Sequence, residues 1–158
     1  MDISFKTEEG RFNYRVCALI IHNGKIFAMK NERTPYYFLP GGRVGLHETA
    51  EVAILRELKE ELEIDADIVR PLWLNQSFFT EDVSKEKFHE ICLYFLMDVS
   101  QTDLLSRGNT FTMQERHHTL KYEWLRLERL KEEYFYPTFL KENIFELPET
   151  LTIHTELR

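Results

Sequence analysis

Glu57, Glu60 and Glu61 stand at i, i+3 and i+4. In a helix that spacing puts three carboxylates on one face. Crowded acids repel and raise one another's pKa unless cations sit among them. Hard oxygen ligands of this kind suit Mg²⁺ or Mn²⁺, with water and a phosphate filling the remaining positions. Taken alone, the triplet would read as a solvated acidic face. Ala50 and Ala53 fall on the same arc one and two turns earlier, however, and leave room beside the carboxylates. Upstream, Leu39-Pro40-Gly41-Gly42 ends a strand and turns the chain. Glycine there lets a backbone carbonyl or amide approach a metal or a phosphate. Residues 43–47 lead to Glu48 at the acidic start of the helix. Arg56 precedes Glu57 and has the fork geometry to anchor a carboxylate or to face a phosphate.

These side chains need a scaffold, and the hydrophobic pattern supplies one. Residues 48–62 read as a helix, with Ile54, Leu55, Leu58 and Leu62 inside one apolar arc of about 100°. Residues 14–22 and 25–30 are β-rich, and Asn23-Gly24 between them is a strong hairpin signal because both turn positions need positive φ. Residues 36–39 read as a short strand ending at Pro40, broken by Gly41-Gly42. Residues 64–79 read as one or two strands interrupted around Pro71, and residues 88–99 as a long apolar strand. Residues 100–118 read as a polar loop, 122–127 as a strand and 128–133 as a helical turn. Residues 137–145 read as a second helix with proline in its first turn. Strands flanking a central and a later helix predict a mixed sheet with helices packed on it.

The run Gly42, five residues, Glu48, seven residues, Arg56-Glu57-Leu58-Lys59-Glu60-Glu61, one residue, Glu63-Ile64 resembles the Nudix box. The family pattern is Gly, five residues, Glu, seven residues, Arg-Glu, an aliphatic, any residue, Glu-Glu, any residue, Gly, an aliphatic. Both aliphatic positions match, and so does every fixed position but one. The order of the hairpin, the Leu-Pro-Gly-Gly approach, the later strands and Glu123-Trp124-Leu125 extends the likeness over residues 12–147. The departure is Glu63, where the family has a glycine that closes the helix in the left-handed conformation. A Glu in that geometry costs about 1 kcal/mol.

The resemblance implies an α/β fold, a Nudix-type α/β/α sandwich with a mixed sheet and the box as loop–helix–loop. It also implies metal-dependent hydrolysis of a phosphoanhydride bond in a nucleoside-diphosphate-linked or nucleoside triphosphate substrate. Glu57, Glu60 and Glu61, with the Gly42 carbonyl, would hold Mg²⁺ or Mn²⁺, and Glu57, Glu60, Arg56 and Glu115 would be the catalytic set. Arg56 is read as a structural salt bridge or as a substrate contact. Glu48 is read as a cap, a holder of Arg56 or a ligand. Many members recruit one more acid from a later loop, and Glu115 and Glu123 are the candidates here. The alternative is a catalytically weak nucleotide- or metabolite-binding module on the same fold. Two specificity markers are absent: a proline about fifteen residues past the box, as in many ADP-ribose hydrolases, and a tyrosine near residue 80, as in many dinucleoside polyphosphate hydrolases.

Bulk properties agree with a small-molecule enzyme. At 158 residues, with 43% hydrophobic and 30% charged, the chain reads as one compact domain spanning residues 1–158. A net charge of −7 argues against a polymeric nucleic acid as partner. No secretion signal and no apolar run of membrane-spanning length are visible, so a cytoplasmic protein without a membrane partner is expected. A homodimer is compatible with the sequence. Cys17 and Cys92 lie in apolar runs and read as reduced core thiols. His117-His118 read as loop residues. Tyr36, Tyr37, Phe78 and Phe79 read as core and rim aromatics, with stacking on a base as the alternative.

Overall fold

The computed structural model describes residues 1–115 and 117–157. Ten strands and two helices run in the order β1 (Ser4–Thr7), β2 (Gly10–Leu19), β3 (Ile21–His22), β4 (Lys25–Asn31), β5 (Gly41–Arg43), α1 (Ala50–Leu62), β6 (Asp67–Thr80), β7 (Lys87–Asp98), β8 (Thr110–Glu115), β9 (His118–Arg126), α2 (Leu140–Asn143) and β10 (Thr152–Leu157). One sheet has the order β1-β2-β7-β6-β10, with β5 added beside β2. It is mixed, because β2 runs parallel to β7 and β10 parallel to β6, whereas β6 and β7 are antiparallel. A second, antiparallel sheet has the order β3-β4-β9-β8. One buried cluster joins α1 to the sheets through Val16, Ala18, Phe27, Ile54, Leu58 and Phe95. The other joins their opposite faces to the α2 side through Cys17, Leu19, Leu125, Leu130, Phe135 and Leu140. The two cores make the expected sandwich, with a thin second helical layer. Among the described residues no helix is long and apolar enough to cross a membrane.

Alternation along β2 explains both cores. Val16, Ala18 and Ile20 point to α1, and Cys17 and Leu19 point away, so this run is buried on both faces. The hairpin forms as its turn residues require, with φ of 49° at Asn23 and 72° at Gly24. Pro71 does not end a strand. β6 passes it with shifts of register between Ile68 and Arg70 and between Pro71 and Trp73. Cys17 and Cys92 are buried free thiols.

Several expectations are corrected. The helix starts at Ala50, not Glu48, because the Thr49 hydroxyl caps it by accepting from the Val52 amide at 3.1 Å. Its buried stripe is turned toward Ala50 and Ala53, which lie in the core, while Leu55 is 39% exposed. Residues 36–39 form only isolated bridges at Tyr37 and Phe38. Gly41-Gly42 do not break a strand; they begin β5. The stretch 100–118 is not a plain loop. It contains a 3-10 turn at Leu104–Arg107 and then β8, whose Phe111 and Met113 alternate inward against the core; Arg116 within it lies outside the described residues. The second helix shrinks to Leu140–Asn143. β1 and β10 were not anticipated, since both are short edge strands with mostly exposed side chains.

Candidate metal centre and substrate cleft

Arg56 is the hub of the loop–helix junction. Its Nε donates to Glu48 Oε2 at 2.7 Å, and its two terminal nitrogens donate to Glu48 Oε1 at 2.9 Å, Glu57 Oε1 at 2.9 Å, Glu60 Oε2 at 3.2 Å and the Arg43 carbonyl at 3.1 Å. All five guanidinium donors are thereby used. Glu48 also accepts from the Gly45 amide at 2.9 Å. The Arg56 hydrogen bonds, with that of Gly45, hold the Glu48 carboxyl down at about 2. The pair therefore ties residues 43–48 to the middle of α1, and of the readings open for Arg56 and Glu48 the geometry carries the structural ones.

The triplet does not act as one face. Glu60 is 59% exposed and turned to Arg56, whereas the Glu57 side chain is 16% exposed. Arg56 binds both Glu57 and Glu60, and the difference in exposure comes from the packing of α1 on the sheets, which faces Glu57 inward. Among the described residues no three acidic, histidine or cysteine side chains gather tightly enough to hold an ion as they stand. Glu57 and Glu61 instead continue the inward stripe begun by Ala50 and Ala53. Burial, then the charge of Glu57, pushes the Glu61 carboxyl well up. Burial also raises Glu57, against the pull of Arg56.

Two buried side-chain atoms among the described residues have no hydrogen-bond partner, Glu61 Oε2 and the Tyr122 hydroxyl. They sit in one electrostatic neighbourhood. Burial and then the Glu61 charge raise the Tyr122 phenol, and Glu115 acts on both groups. An unpaired buried acceptor of this kind is costly unless a cation or a donor occupies the space beside it. Gly42 of β5 packs against the neighbouring Glu57, and an added Cβ there would come 2.2 Å from Glu57 Cδ. Only glycine admits that carboxylate. Buried oxygen donors, one of them without a partner, packed against bare backbone are a set that fits a divalent cation. Glu115, expected in a loop, ends β8 opposite His118. Glu123 lies on the far face of β9 from Tyr122, where it accepts from the Tyr37 hydroxyl at 2.8 Å.

On the α2 side of the large sheet a cleft of about 480 Å³ opens beside Gly42, within the usual range for small-molecule sites. Its floor carries Asn13, Arg15 and Glu90 from β2 and β7, and its mouth carries Tyr36, Glu81, Asp82 and Tyr136. Asn13 and Glu90 are buried; the Asn13 amide reaches Glu90 Oε2 at 3.5 Å and its Oδ1 accepts from Ser4 Oγ at 2.6 Å. At the mouth the Tyr36 hydroxyl donates to Glu81 at 2.5 Å, and Tyr134 and Tyr136 both donate to Asp82. Tyr36 and Phe79 therefore line the cleft, whereas Tyr37 packs in the core and Phe78 is exposed elsewhere. Motif reading missed Arg15, Asn13 and Glu90. The one available signal was polar side chains set among the apolar residues of strands, with period two placing Asn13 and Arg15 on one face.

The NUDIX domain family model matches residues 11–143. Solved structures share the fold at low identity. A UDP-X diphosphatase superposes with a TM-score of 0.54 at 18% identity, over 84% of this chain and 59% of that one. An ADP-ribose pyrophosphatase from Streptococcus suis gives 0.53 at 15%, over 92% and 98%. A MutT protein from Bacillus halodurans gives 0.61 at 12%, over 90% and 88%. This chain thus spans somewhat under two thirds of the UDP-X diphosphatase, and at these identities the likeness is one of fold. The family match takes in the strands that floor the cleft as well as the loop–helix–loop, and by it the chain belongs to the Nudix family of hydrolases.

Proposed function

We propose that the protein is a divalent-metal-dependent hydrolase, using Mg²⁺ or Mn²⁺, that cleaves a phosphoanhydride bond in a nucleoside-diphosphate-linked or nucleoside triphosphate substrate. The observation that carries this reading is the half-buried Glu57 packed against Gly42 of the cleft, with the neighbouring Glu61 keeping a buried Oε2 unpartnered. Glu57, Glu60, Glu61 and the Gly42 carbonyl would hold the metal. When bound, it would neutralise phosphate charge and make a water more acidic. Glu60 reaches that set by exchanging Arg56 for the cation, which its exposed position allows.

The protein's own groups do the rest. Arg56 and Glu48 fix the acidic turn of α1 relative to β5. The cleft orients the substrate. A carboxylate, in the box or at Glu115, takes the proton of the attacking water. The water oxygen forms a bond to one phosphorus, the bridging P–O bond breaks, and the electron pair leaves on the departing phosphate. The products are two phosphorylated fragments. Pyrophosphohydrolase activity of the relatives supports this class and leaves the exact substrate open.

One observation favours a second reading, that of a binding module: Arg56 already occupies Glu57 and Glu60. A panel of nucleoside triphosphates, nucleotide sugars and dinucleotides separates the two. The hydrolase reading expects turnover with Mg²⁺ or Mn²⁺ and none in EDTA. Full turnover after exhaustive chelation sinks the metal mechanism, and no turnover on any substrate together with nucleotide binding moves the assignment to the binding module.

A further inference from the structure

We infer that Arg15 is the anion-holding side chain of the cleft, its guanidinium donating to phosphate oxygens of the bound substrate. This rests on the reading of the cleft as the seat of a phosphorylated small molecule, and it adds a residue outside the box. Arg15 lies in β2 opposite Arg43 of β5, next to the Val16–Gly42 pair, and lines the same cleft as Gly42.

Its bonding state sets it apart. The other half-buried arginines among the described residues have an acidic or carbonyl partner: Arg11 with Glu86, Arg56 with Glu48, Arg70 with the Pro148 carbonyl and Arg107 with Asp103 by hydrogen bonds, and Arg43 with Asp2 by a looser ion pair at 3.9 Å. No side-chain hydrogen bond or ion pair to a described residue is made by Arg15. Glu90 holds it in its field, and it acts in turn on Glu57 and Glu61, yet it is bonded to none of them. Its donors are left to the solvent of the cleft rather than to an acceptor among the described residues, and a planar fork of donors matches phosphate. It lines the cleft with Glu90 and Gly42, and its charge is felt by the carboxylates of α1 that pack behind Gly42.

The alternative is that Arg15 only balances the surrounding acids, and two binding measurements without turnover separate the cases. ADP is titrated in EDTA, and Mn²⁺ is titrated alone, into wild type, Arg15→Gln and Arg15→Lys. The inference expects wild type to bind ADP more tightly than adenosine. It expects Arg15→Gln to lose roughly tenfold or more in ADP affinity, as befits loss of a charge-assisted bidentate contact, and Arg15→Lys to fall between. Mn²⁺ should bind Arg15→Gln as well as wild type or better, because a cation near Glu57 and Glu61 has been removed. Loss of both affinities marks a structural residue and overturns the inference. So does ADP binding that is unchanged in Arg15→Gln, or no preference for ADP over adenosine in wild type. Should Arg15→Gln not fold, the Lys variant decides: the charge stays and the fork is lost, so an undiminished ADP affinity is the overturning result. The pattern without turnover on any substrate removes the hydrolase reading alone; turnover with an indifferent Arg15→Gln removes this inference alone.

Discussion

The acids at the mouth of the cleft and those of α1 behind Gly42 are treated in opposite ways. At the mouth, Glu81 accepts from the Tyr36 hydroxyl and from the Val83 and Ser84 amides, and Asp82 accepts from Tyr134 and Tyr136. Burial pushes Glu81 up, but its hydrogen bonds outweigh burial and its pKa ends below the ordinary value. On α1, Glu61 keeps one oxygen buried without a partner, and its pKa is pushed well up. The satisfied acids strap the turn after β6 to the segments around Tyr36 and Tyr136. The unpartnered oxygen of Glu61 stabilises nothing as it stands, and beside Glu57, which packs on Gly42, it makes sense as a place for a cation. Acids that hold a fold together are saturated with donors, whereas acids that work on a ligand are left wanting one.

The sharpest way to break this contrast is Glu61→Gln. On the best substrate it should cost roughly 10²-fold or more in kcat, since an anionic ligand is lost. The metal-free variant should melt at or above the wild-type temperature. A proton bound more tightly in the folded state stabilises it as pH falls. Metal-free wild type should therefore gain stability as pH drops from neutrality toward the ordinary glutamate value of 4.5. Glu61→Gln should lose most of that slope. Glu48, held at about 2, stays ionised through this window and does not oppose the trend. Thermal melts across pH in EDTA check it; an unchanged slope would mean that Glu61 is not the strained acid.

A smaller effect tests the other side of the contrast. Tyr36→Phe leaves Glu81 one donor short and should cost about 1 kcal/mol, a fall in Tm of roughly 2–4 °C for a chain of this size. The metal-free pH slope should remain, because the strap and the acid pair are separate. Equal Tm in both proteins would show that the strap contributes nothing.

The smallest change sits between them. Glu63 ends the helix that carries the acid pair with φ of 56° and ψ of 39°, donating its amide to the Lys59 carbonyl at 3.0 Å. Glu63→Gly relieves a left-handed strain of about 1 kcal/mol, partly offset by glycine's greater freedom in the unfolded chain. A rise in Tm of a degree or two is expected, with kcat unchanged. A fall in Tm would mean that the Glu63 side chain makes a needed contact.

Much of this was legible in the residues. The 3.6-residue period found α1 because a half-buried helix must put apolar side chains on one stripe. The hairpin was legible because Asn-Gly satisfies a local conformational demand. Box spacing identified Gly42, Glu48, Arg56, Glu57, Glu60 and Glu61 because they sit on one continuous short strand, loop and helix, where separation along the chain fixes separation in space. The edge strands β1 and β10 were not legible, since exposed strands carry little periodic signal and owe their pairing to distant partners. β8 was hidden because its inward Phe111 and Met113 alternate with polar residues in a stretch read as loop.

The sequence by itself determined the local constellation: an acidic helical turn, a glycine before it and an arginine inside it. Tertiary structure alone decided what each member does. It sent Glu60 outward to Arg56 and left Glu61 half-buried with one oxygen out of water, because the sheet rather than the helical wheel chose the inward face of α1. It put Glu123 on the far side of β9 and Glu115 near Glu61, since alternate residues of a strand point to opposite faces. It also brought Arg15, Asn13 and Glu90 onto one cleft floor, where β2 and β7 lie side by side in a register that separation along the chain cannot specify.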